Sequence, residues 1–479
     1  MNINNKPPRE ILSISSVREF LDWLPEAFMQ NLILFAFALT AFAPLFVSIK
    51  AVSYLRPEYL LDDTGKYDVY EFLKDDFDQF AHKRLFIWVF VLISLAFLLL
   101  LLKKLACRKP DLSAFIRNPA LVLFSLLSIW MLINIFMVNG PNFYALKGKR
   151  PNHENLFIYL EYFFCFFAGG LFLTDRKKNR FFVLFILTSL FLIPFAMILH
   201  FSVYNSDFDH ICCVFANSNY YGNYLCVVIS LCVGMLGAAT DKRWKAFFVF
   251  CMLCNTAILY FNNTFGAWIG ALFACLFAIV AFRIRDGKLN RWTLLALALF
   301  LGCLIVCGWF EVLFLGKTNR FVSNIMALFK DALNVVADSE SSAAKHAGTG
   351  RWAIWKYYLS LVRQHPLFGI GLDGVRALDI GHEIRKARPH NEFLQWAVYL
   401  GIPALVFYFS ACLSVFLRAS KFRRQLSDLA LAALVAALGY LAASFFSNTM
   451  YNTTPYLFIF LGLGYVNLKP CDRADLQEA

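Results

Sequence analysis

The chain has 479 residues, of which 59% are hydrophobic and 16% are charged, with a formal net charge of +13 and a mean hydropathy of +0.59. Soluble domains contain roughly 45–50% apolar and about 25% charged residues. The composition therefore excludes a soluble globular enzyme, and it equally excludes a disordered or disulfide-stapled chain. The 53 phenylalanines suit helices whose apolar surface faces lipid. We expect an all-α membrane protein with many spans.

Twelve apolar runs along the chain predict transmembrane helices, since a span needs about 20 mainly apolar residues. They are 29–49, 85–102, 119–138, 155–173, 181–200, 220–238, 246–261, 264–283, 292–311, 393–417, 426–446 and 455–468. The amides of Asn262 and Asn263 interrupt the stretch from 246 to 283. Paired amide side chains are costly in hydrocarbon, so they predict a tight turn between two spans.

The distribution of Lys and Arg predicts the orientation of these spans. With the N-terminus placed in the cytoplasm, 25 of the 45 Lys and Arg residues fall on the cytoplasmic side, and the outer loops 201–219, 262–263 and 447–454 contain none. This alternation predicts a multi-pass plasma-membrane (inner-membrane) protein with both termini in the cytoplasm.

The span pattern divides the chain into five segments. We expect a cytoplasmic or interfacial N-terminal segment, nine spans that enclose an outer loop at 50–84, a large extracytoplasmic loop, three further spans, and a cytoplasmic tail. The boundaries are 1–28, 29–311, 312–392, 393–468 and 469–479, respectively.

The loop 312–392 is too long to be a simple connection. It holds eleven Lys and Arg against seven Asp and Glu. Long loops are exempt from the rule that positive charges stay inside, so this excess indicates an anionic ligand, for which nucleic acid is not expected on that face. A helical pattern begins near Arg351 and ends at His365-Pro366, so we expect the loop to be partly helical.

Two features of this loop could carry chemistry. Arg351 lies at a predicted helix N-terminus, where a guanidinium beside free N–H groups binds phosphate well. His390 precedes the tenth span, next to a basic cluster that includes Arg385 and Arg388, and an imidazole with a pKa near ~6.5 can take a proton at neutral pH. Such groups suit the attack of a hydroxyl on a carbon that bears a pyrophosphate. The same residue types also occur as solvated charges and interfacial residues, so both interpretations stay open.

A second possible site lies in the outer loop 50–84. Asp76 and Asp78 form an Asp-x-Asp, next to Asp75, with spacing that suits a divalent cation. The surrounding charges also fit a solvated segment, and we favour a mechanism without metal or cofactor.

Several short motifs follow one another in a recognisable order. They are Gly350-Arg351 with Trp355, the Pro-Leu-Phe-Gly-Ile-Gly of 366–371, and His390-Asn391 with Gln395 ahead of a glycine-containing span. Upstream lie the Asn-rich segment 215–221 and the segment 263–268, Asn-Thr-Phe-Gly-Ala-Trp. Together they resemble the O-antigen ligase / O-antigen polymerase family, and the resemblance covers roughly 210–415.

This resemblance implies a membrane glycosyltransferase of the C type. Its donor would be a glycan on a polyprenyl pyrophosphate, and its acceptor a glycan, glycolipid or protein. The resemblance assigns His390 and Arg351 as catalytic residues. Further substrate-binding candidates are Arg385, Arg388, Asn391, Trp355, Asn217 and Asn219.

The chain departs from the family at Phe265, where an arginine is common. Lys149, Arg150 or Arg388 could replace the missing cation. Two other functions stay possible: a transporter or flippase for a lipid-linked glycan, and a non-catalytic member of an envelope assembly complex. The predicted spans are nearly free of charge, with Glu161 as the main exception, which favours chemistry on the outer face over a path through the bilayer.

Overall fold

The structure is a computed structural model that describes residues 17–53, 83–107, 118–139, 155–172, 174–204, 210–215, 217–338, 341–342, 346–348, 350–372 and 388–465. Within these ranges the chain forms α-helices, short π and 3₁₀ turns, and no strand. The helices are α1 Val17–Trp23, α2 Glu26–Ser53, α3 Lys83–Cys107, α4 Pro119–Asn134, α5 Leu156–Phe172, α6 Asp175–Leu199, α7 Ser218–Ala238, α8 Lys242–Asn262, α9 Phe265–Asp286, α10 Arg291–Leu315, α11 Arg320–Ala337, α12 Arg351–Gln364, α13 Glu392–Lys421, α14 Asp428–Ser444 and α15 Thr454–Leu463. The all-α prediction is confirmed for this part of the chain.

Nine helices in the described ranges are long and apolar enough to cross a membrane: α2, α3, α4 and α6 with their π extensions, α7 to α10, and α13. Three shorter apolar helices, α5, α14 and α15, lie where the sequence predicts the other spans. The membrane class is thereby supported. The count of twelve, the side of each terminus and the sidedness of the loops stay predictions.

Helix α7 forms the centre of the bundle, and most of its length is buried against α8, α9 and α14. Glycines allow these close approaches. A Cβ on Gly234 would lie 2.6 Å from the Cα of Ala432, and one on Gly270 would lie 2.6 Å from the carbonyl oxygen of Gly439. Small residues at helix crossings are the usual way for helices to pack inside a membrane, where the hydrophobic effect does not drive them together.

The predicted turn at Asn262 and Asn263 is confirmed. Helix α8 ends at Asn262, and Asn263 adopts a left-handed conformation with φ of 58° before α9 begins. The buried Asn262 amide donates to the carbonyl oxygens of Ile211 (2.6 Å) and Ser218 (2.9 Å). The turn is therefore fastened to the start of α7, and both lie at the same end of the bundle.

The tenth predicted span, 393–417, corresponds to α13, but this helix is interrupted. Gly401 has φ of 85° and ψ of 171°, a conformation open to glycine alone among ordinary residues. The interruption leaves backbone N–H and C=O groups of α13 without partners inside the helix. The segment 366–371 forms hydrogen bonds with these groups. The bonds run from Ile370 N–H to Val398 O (2.9 Å), from Gly371 N–H to Tyr399 O (2.9 Å), and from Ile402 N–H to Pro366 O (2.8 Å).

Helix α4 supports this docked segment from the other side. The Trp130 ring stacks on Phe368 with centroids 5.1 Å apart, and its indole N–H donates to Leu400 O at 2.8 Å. The Asn134 amide donates to Phe368 O at 2.5 Å. The glycine-rich motif therefore links the loop to two apolar helices, which positions the helix that precedes it.

The loop 312–392 contains two described helices, α11 and α12. Helix α12 begins at Arg351 and ends at Gln364 with His365 as its C-cap, as the sequence predicts. Helix α10 continues to Leu315, a few residues past the predicted end of the ninth span. The segments 1–16, 54–82 and 466–479, with most of the predicted first outer loop and the predicted tail, lie outside the described residues.

Candidate active site

His390 lies in the short corner that leads into α13. It has a positive φ of 49°, which is uncommon for a residue other than glycine. Its backbone N–H donates to the side-chain oxygen of Asn448 at 2.7 Å. Asn448 belongs to the turn between α14 and α15, so two distant parts of the chain hold this corner in place.

The same asparagine contacts the imidazole ring. The Asn448 Nδ2 lies 3.3 Å from His390 Nδ1. Because Asn448 Oδ1 is occupied as an acceptor, the NH₂ group faces the ring and donates to Nδ1. This contact suits the neutral tautomer with its proton on Nε2, in which Nε2–H is available as a donor to a ligand.

The surroundings of His390 favour the uncharged ring. Burial, together with the positive charges of Arg351 and Arg388, lowers the pKa of His390 to about 4. The imidazole is therefore neutral at physiological pH.

Arg351 is the first residue of α12 and follows a tight turn. Gly348 and Gly350 both have positive φ values, 60° and 84°. The Gly348 N–H donates to the Asp331 carboxylate of α11 at 2.8 Å. This bond fixes the turn immediately before the Arg351 guanidinium, at a helix N-terminus that favours anions.

A cavity of about 740 Å³ lies between α11, α12 and the starts of α7 and α9. Its lining includes apolar and aromatic side chains such as Trp352, Trp355 and Phe446. Its polar lining residues include His210, Asn219, Asn263, Asn324, Asp331 and Arg351. A cavity that combines apolar lining with a partly buried guanidinium suits an amphiphilic anion.

Trp355 joins this cavity to the His390 corner. Its indole N–H donates to Pro389 O at 2.9 Å, and its ring packs edge-on against Phe445 at 5.6 Å. His390 lies outside the cavity lining, but Trp355 places the residue before it against the cavity wall. The structure therefore brings Arg351, Trp355, Asn219 and His390 into one region.

The sequence predicts Arg388 as a substrate-binding residue, but Arg388 does not line this cavity. Its side chain is buried, and its guanidinium donates to Thr449 O at 2.8 Å and to the Tyr220 hydroxyl at 3.2 Å. These bonds hold the residues before His390 against α7 and against the turn between α14 and α15. Burial lowers the pKa of Arg388, and its charge acts on His390.

A buried polar network supports the start of α13. The Glu392 carboxylate accepts from the hydroxyls of Tyr408 (2.8 Å) and Tyr440 (3.3 Å). One turn later, the Gln395 amide donates to the Thr449 hydroxyl at 2.5 Å, and its oxygen accepts from the Thr449 N–H at 3.2 Å. These bonds hold the first turn of α13 against the turn that carries Asn448.

Two of the predicted binding residues cap helices. Asn217 accepts from the Asn219 N–H (2.8 Å) at the start of α7, and Asn391 accepts from the Leu394 N–H (2.9 Å) at the start of α13.

Phe265 lies in the cavity wall, where the family commonly has arginine. Arg385, Lys149, Arg150 and the aspartates at 75, 76 and 78 lie outside the described residues. Among the described residues, no three His, Cys, Asp or Glu side chains are grouped to hold a metal ion.

Sequence reasoning missed Asn448, Thr449 and Asp331. A signal was present for the first two, because the turn Ser447–Thr454 is rich in Asn and Thr and has no charged residue. Asp331 gave no signal, since one acidic residue on a loop helix is ordinary.

The comparison with known proteins agrees with this geometry. Residues 247–409 match the family model described as O-antigen ligase. Over this segment the chain is similar to the O-antigen ligase family. No curated protein matches the chain.

The matched segment runs from α8 into the second half of α13. It includes Arg351, the docked segment 366–371 and His390, and it ends after the Gly401 interruption. Asn219 and Asn448 lie outside its limits. The resemblance drawn from the motifs is confirmed, and the candidate site combines residues from within the matched segment and beyond it.

Proposed function

We propose that the protein is a membrane glycosyltransferase that moves a glycan from a polyprenyl-pyrophosphate donor to a hydroxyl on a glycan, glycolipid or protein. The transfer would occur at the outer face of the plasma membrane, as in O-antigen ligation or polysaccharide polymerisation. The observation that carries this proposal is the cavity that holds Arg351 and is joined through Trp355 to the His390 corner. The match of residues 247–409 to the O-antigen ligase family model supports the same class.

Arg351 would hold the pyrophosphate of the donor. In the reaction, the acceptor oxygen bonds to the anomeric carbon while the bond from that carbon to the pyrophosphate oxygen breaks. Attack opposite the leaving group inverts the carbon. The departing pyrophosphate gains negative charge, which a partly buried guanidinium at a helix N-terminus stabilises more strongly than it does the bound donor.

His390 would act next to the reacting centre from its neutral form. The Asn448 contact favours the tautomer with Nε2–H, which can orient the acceptor hydroxyl or donate to a pyrophosphate oxygen. In this arrangement the acceptor hydroxyl transfers its proton to the departing pyrophosphate. If the other tautomer is the active one, Nε2 takes the hydroxyl proton as a general base.

Substitution of the two central residues tests the proposal. We expect His390→Ala and Arg351→Ala each to lower glycan transfer by about 10²–10³-fold, since each removes an interaction made in the transition state. The measurement is transfer from a lipid-linked glycan to its acceptor in proteoliposomes, with insertion checked by thermal unfolding.

Two exposed residues near the end of α12 serve as matched controls. His365→Ala and Arg363→Ala change the same residue types outside the cavity lining and are expected to leave transfer at the wild-type level. A non-catalytic scaffold instead predicts that the reconstituted wild-type protein and all four variants show no transfer.

Transport of a lipid-linked glycan is the alternative, and one observation favours it. Glu161 of α5 is an ionisable residue within an apolar helix, and it accepts from the Ser94 hydroxyl of α3 at 2.7 Å. Movement of the glycan across vesicles that lack any acceptor, without a new glycosidic bond, would support transport instead. Loss of that movement in Glu161→Gln, with normal movement in His390→Ala, would separate the two functions.

A further inference from the structure

Helix α11 carries an apolar stripe that no described part of the chain covers. Val322, Met326, Phe329 and Leu333 are spaced by four, three and four residues, so they lie along one face of the helix. Their exposed fractions run from 48% to 69%. Four large apolar side chains at this exposure, in line, require a partner.

The opposite face of α11 forms the wall of the cavity. Asn324 and Asp331, two turns apart, belong to this face and line the cavity. The Asn324 amide donates to the side-chain oxygen of Asn263 at 3.2 Å, and Asp331 accepts from the Gly348 N–H. These bonds orient the helix, so the stripe must face away from the cavity.

The start of α11 is locked to the end of α10. The Arg320 guanidinium forms a buried ion pair with Glu311 at 2.6 Å, and the Arg320 backbone N–H donates to the same carboxylate at 3.1 Å. The Tyr260 hydroxyl donates to Glu311 at 2.6 Å. Helix α11 therefore begins at the end of a membrane-spanning helix, with its rotation fixed.

The stripe follows an exposed apolar surface at the end of α10. Leu313 and Phe314, in the last turn of α10, are 69% and 74% exposed, and the stripe begins at Val322 on the next helix. Lys330, beside Phe329, supplies a cation next to the stripe. A helix with one apolar face, one polar face and a cation at the boundary between them suits the interface between headgroups and acyl chains.

We propose that α11 lies in the interface of the leaflet next to the cavity, with its apolar stripe among the lipid acyl chains. The membrane then contacts the face of α11 that points away from the cavity, and supports the cavity wall from that side. This placement does not depend on the proposed transfer reaction.

Lipid cross-linking tests the proposal. A photoreactive diazirine amino acid is placed in turn at Phe329 and Leu333 of the full chain, which is reconstituted in phospholipid vesicles. Leu313 provides the lipid-facing reference and Arg363, exposed on α12, the solvent-facing one. We expect phospholipid adducts at Phe329 and Leu333 in yields close to that of Leu313 and several-fold above that of Arg363.

Two results would overturn the proposal. The first is cross-linking of the stripe to protein, whether a second copy, another polypeptide or a different segment of this chain. The second is a lipid yield no higher than that of Arg363. Each labelled variant must keep the wild-type Tm. If the variant at Phe329 or Leu333 fails to fold, the photoreactive amino acid is placed at Met326 instead.

Discussion

His390 is held by contacts that set both its position and its protonation. A non-glycine residue with positive φ persists only where its surroundings enforce the conformation, and here the Asn448 side chain bonds the backbone and faces the ring. One asparagine thus fixes the corner and selects the tautomer. Its role is to position the histidine.

Replacement of Asn448 by aspartate separates the two possible roles of His390. A carboxylate accepts the backbone N–H as before but cannot donate to Nδ1, so the ring proton moves to Nδ1 and Nε2 becomes an acceptor. If His390 acts as a donor, we expect Asn448→Asp to lower the transfer rate by about 10- to 100-fold. A rate that stays equal or rises would show that His390 acts as the base. Asn448→Ala, which removes both contacts, is expected to be impaired in either case.

The lowered pKa of His390 predicts a pH dependence of stability. The unfolded chain protonates this residue near pH ~6.5, whereas the folded protein does so near the lowered pKa of about 4. Between these values the unfolded state binds more protons, so stability falls as the pH is lowered. At pH 5 we expect a loss of about 2 kcal/mol from this residue, seen as a lower Tm.

The control for this measurement is His390→Gln, which cannot titrate. Thermal unfolding of both proteins at pH 7.5 and pH 5 should show the larger decrease in the wild type. Equal decreases would mean that His390 is protonated alike in the two states.

At the scale of elements, the interruption of α13 is joined to the segment 366–371. The carbonyl groups of Val398 and Tyr399 gain donors from Ile370 and Gly371, so the interruption leaves these groups satisfied in an apolar setting. Helix α12 ends at Gln364, directly before this segment. The position of Arg351 at its other end therefore depends on a contact about four turns away.

Gly401→Ala should disrupt this junction. A Cβ at Gly401 would overlap the carbonyl oxygen of Leu367, and the backbone conformation itself excludes alanine. We expect a loss of stability of at least about 2 kcal/mol and reduced transfer.

Gly302→Ala provides the matched control. Gly302 lies in α10, and apart from its own helix backbone no described atom lies within 4 Å of a Cβ built there. Alanine favours the helix by up to about 1 kcal/mol. Thermal unfolding and transfer are measured for both variants. A Gly401→Ala protein with the Tm of Gly302→Ala would contradict the assigned role of the junction.

At the scale of the whole molecule, the two ends of the bundle differ in character. One end gathers Asn, Thr and Tyr side chains with Arg351 and His390. The other carries the ion pairs of Arg285 with Asp286 and Asp428 at the ends of α9 and α14. The candidate site and these ion pairs thus lie at opposite ends of the helices.

Metal removal tests whether glycan transfer proceeds without a metal ion, as the sequence analysis favours. We expect purified protein treated with EDTA to transfer glycan at the untreated rate, because Arg351 supplies the positive charge for the pyrophosphate. The measurement is the proteoliposome assay with and without added Mg²⁺ or Mn²⁺. Loss of transfer with EDTA and recovery with Mg²⁺ would point to Asp76 and Asp78 as metal ligands.

Local features of this fold could be predicted from the sequence. The turn at Asn263 and the helix from Arg351 to Gln364 follow from residues adjacent to them, such as paired amides, glycine and proline. The stripe on α11 is also visible as a period in the sequence, although it was not singled out.

Contacts between distant residues could not be predicted. Asn448 lies 58 positions from His390, and nothing in either segment indicates that they meet. The same holds for Pro366 and Ile402, and for Trp130 and Leu400, because composition and periodicity report only the local neighbourhood of a residue. These contacts determine the geometry of the candidate site.

The junction between 366–371 and the Gly401 interruption also affects how this protein can be recombined with relatives. An exchange of the outer loop alone would place a foreign segment against the native backbone at 398–402, and the three hydrogen bonds across the junction would depend on an exact length match. Chimaeras that exchange 350–372 and 388–402 together keep the hydrogen-bond donors and acceptors of the junction from one parent. Crossover points in domain-swap libraries should therefore fall after Ile402 and not near Glu392.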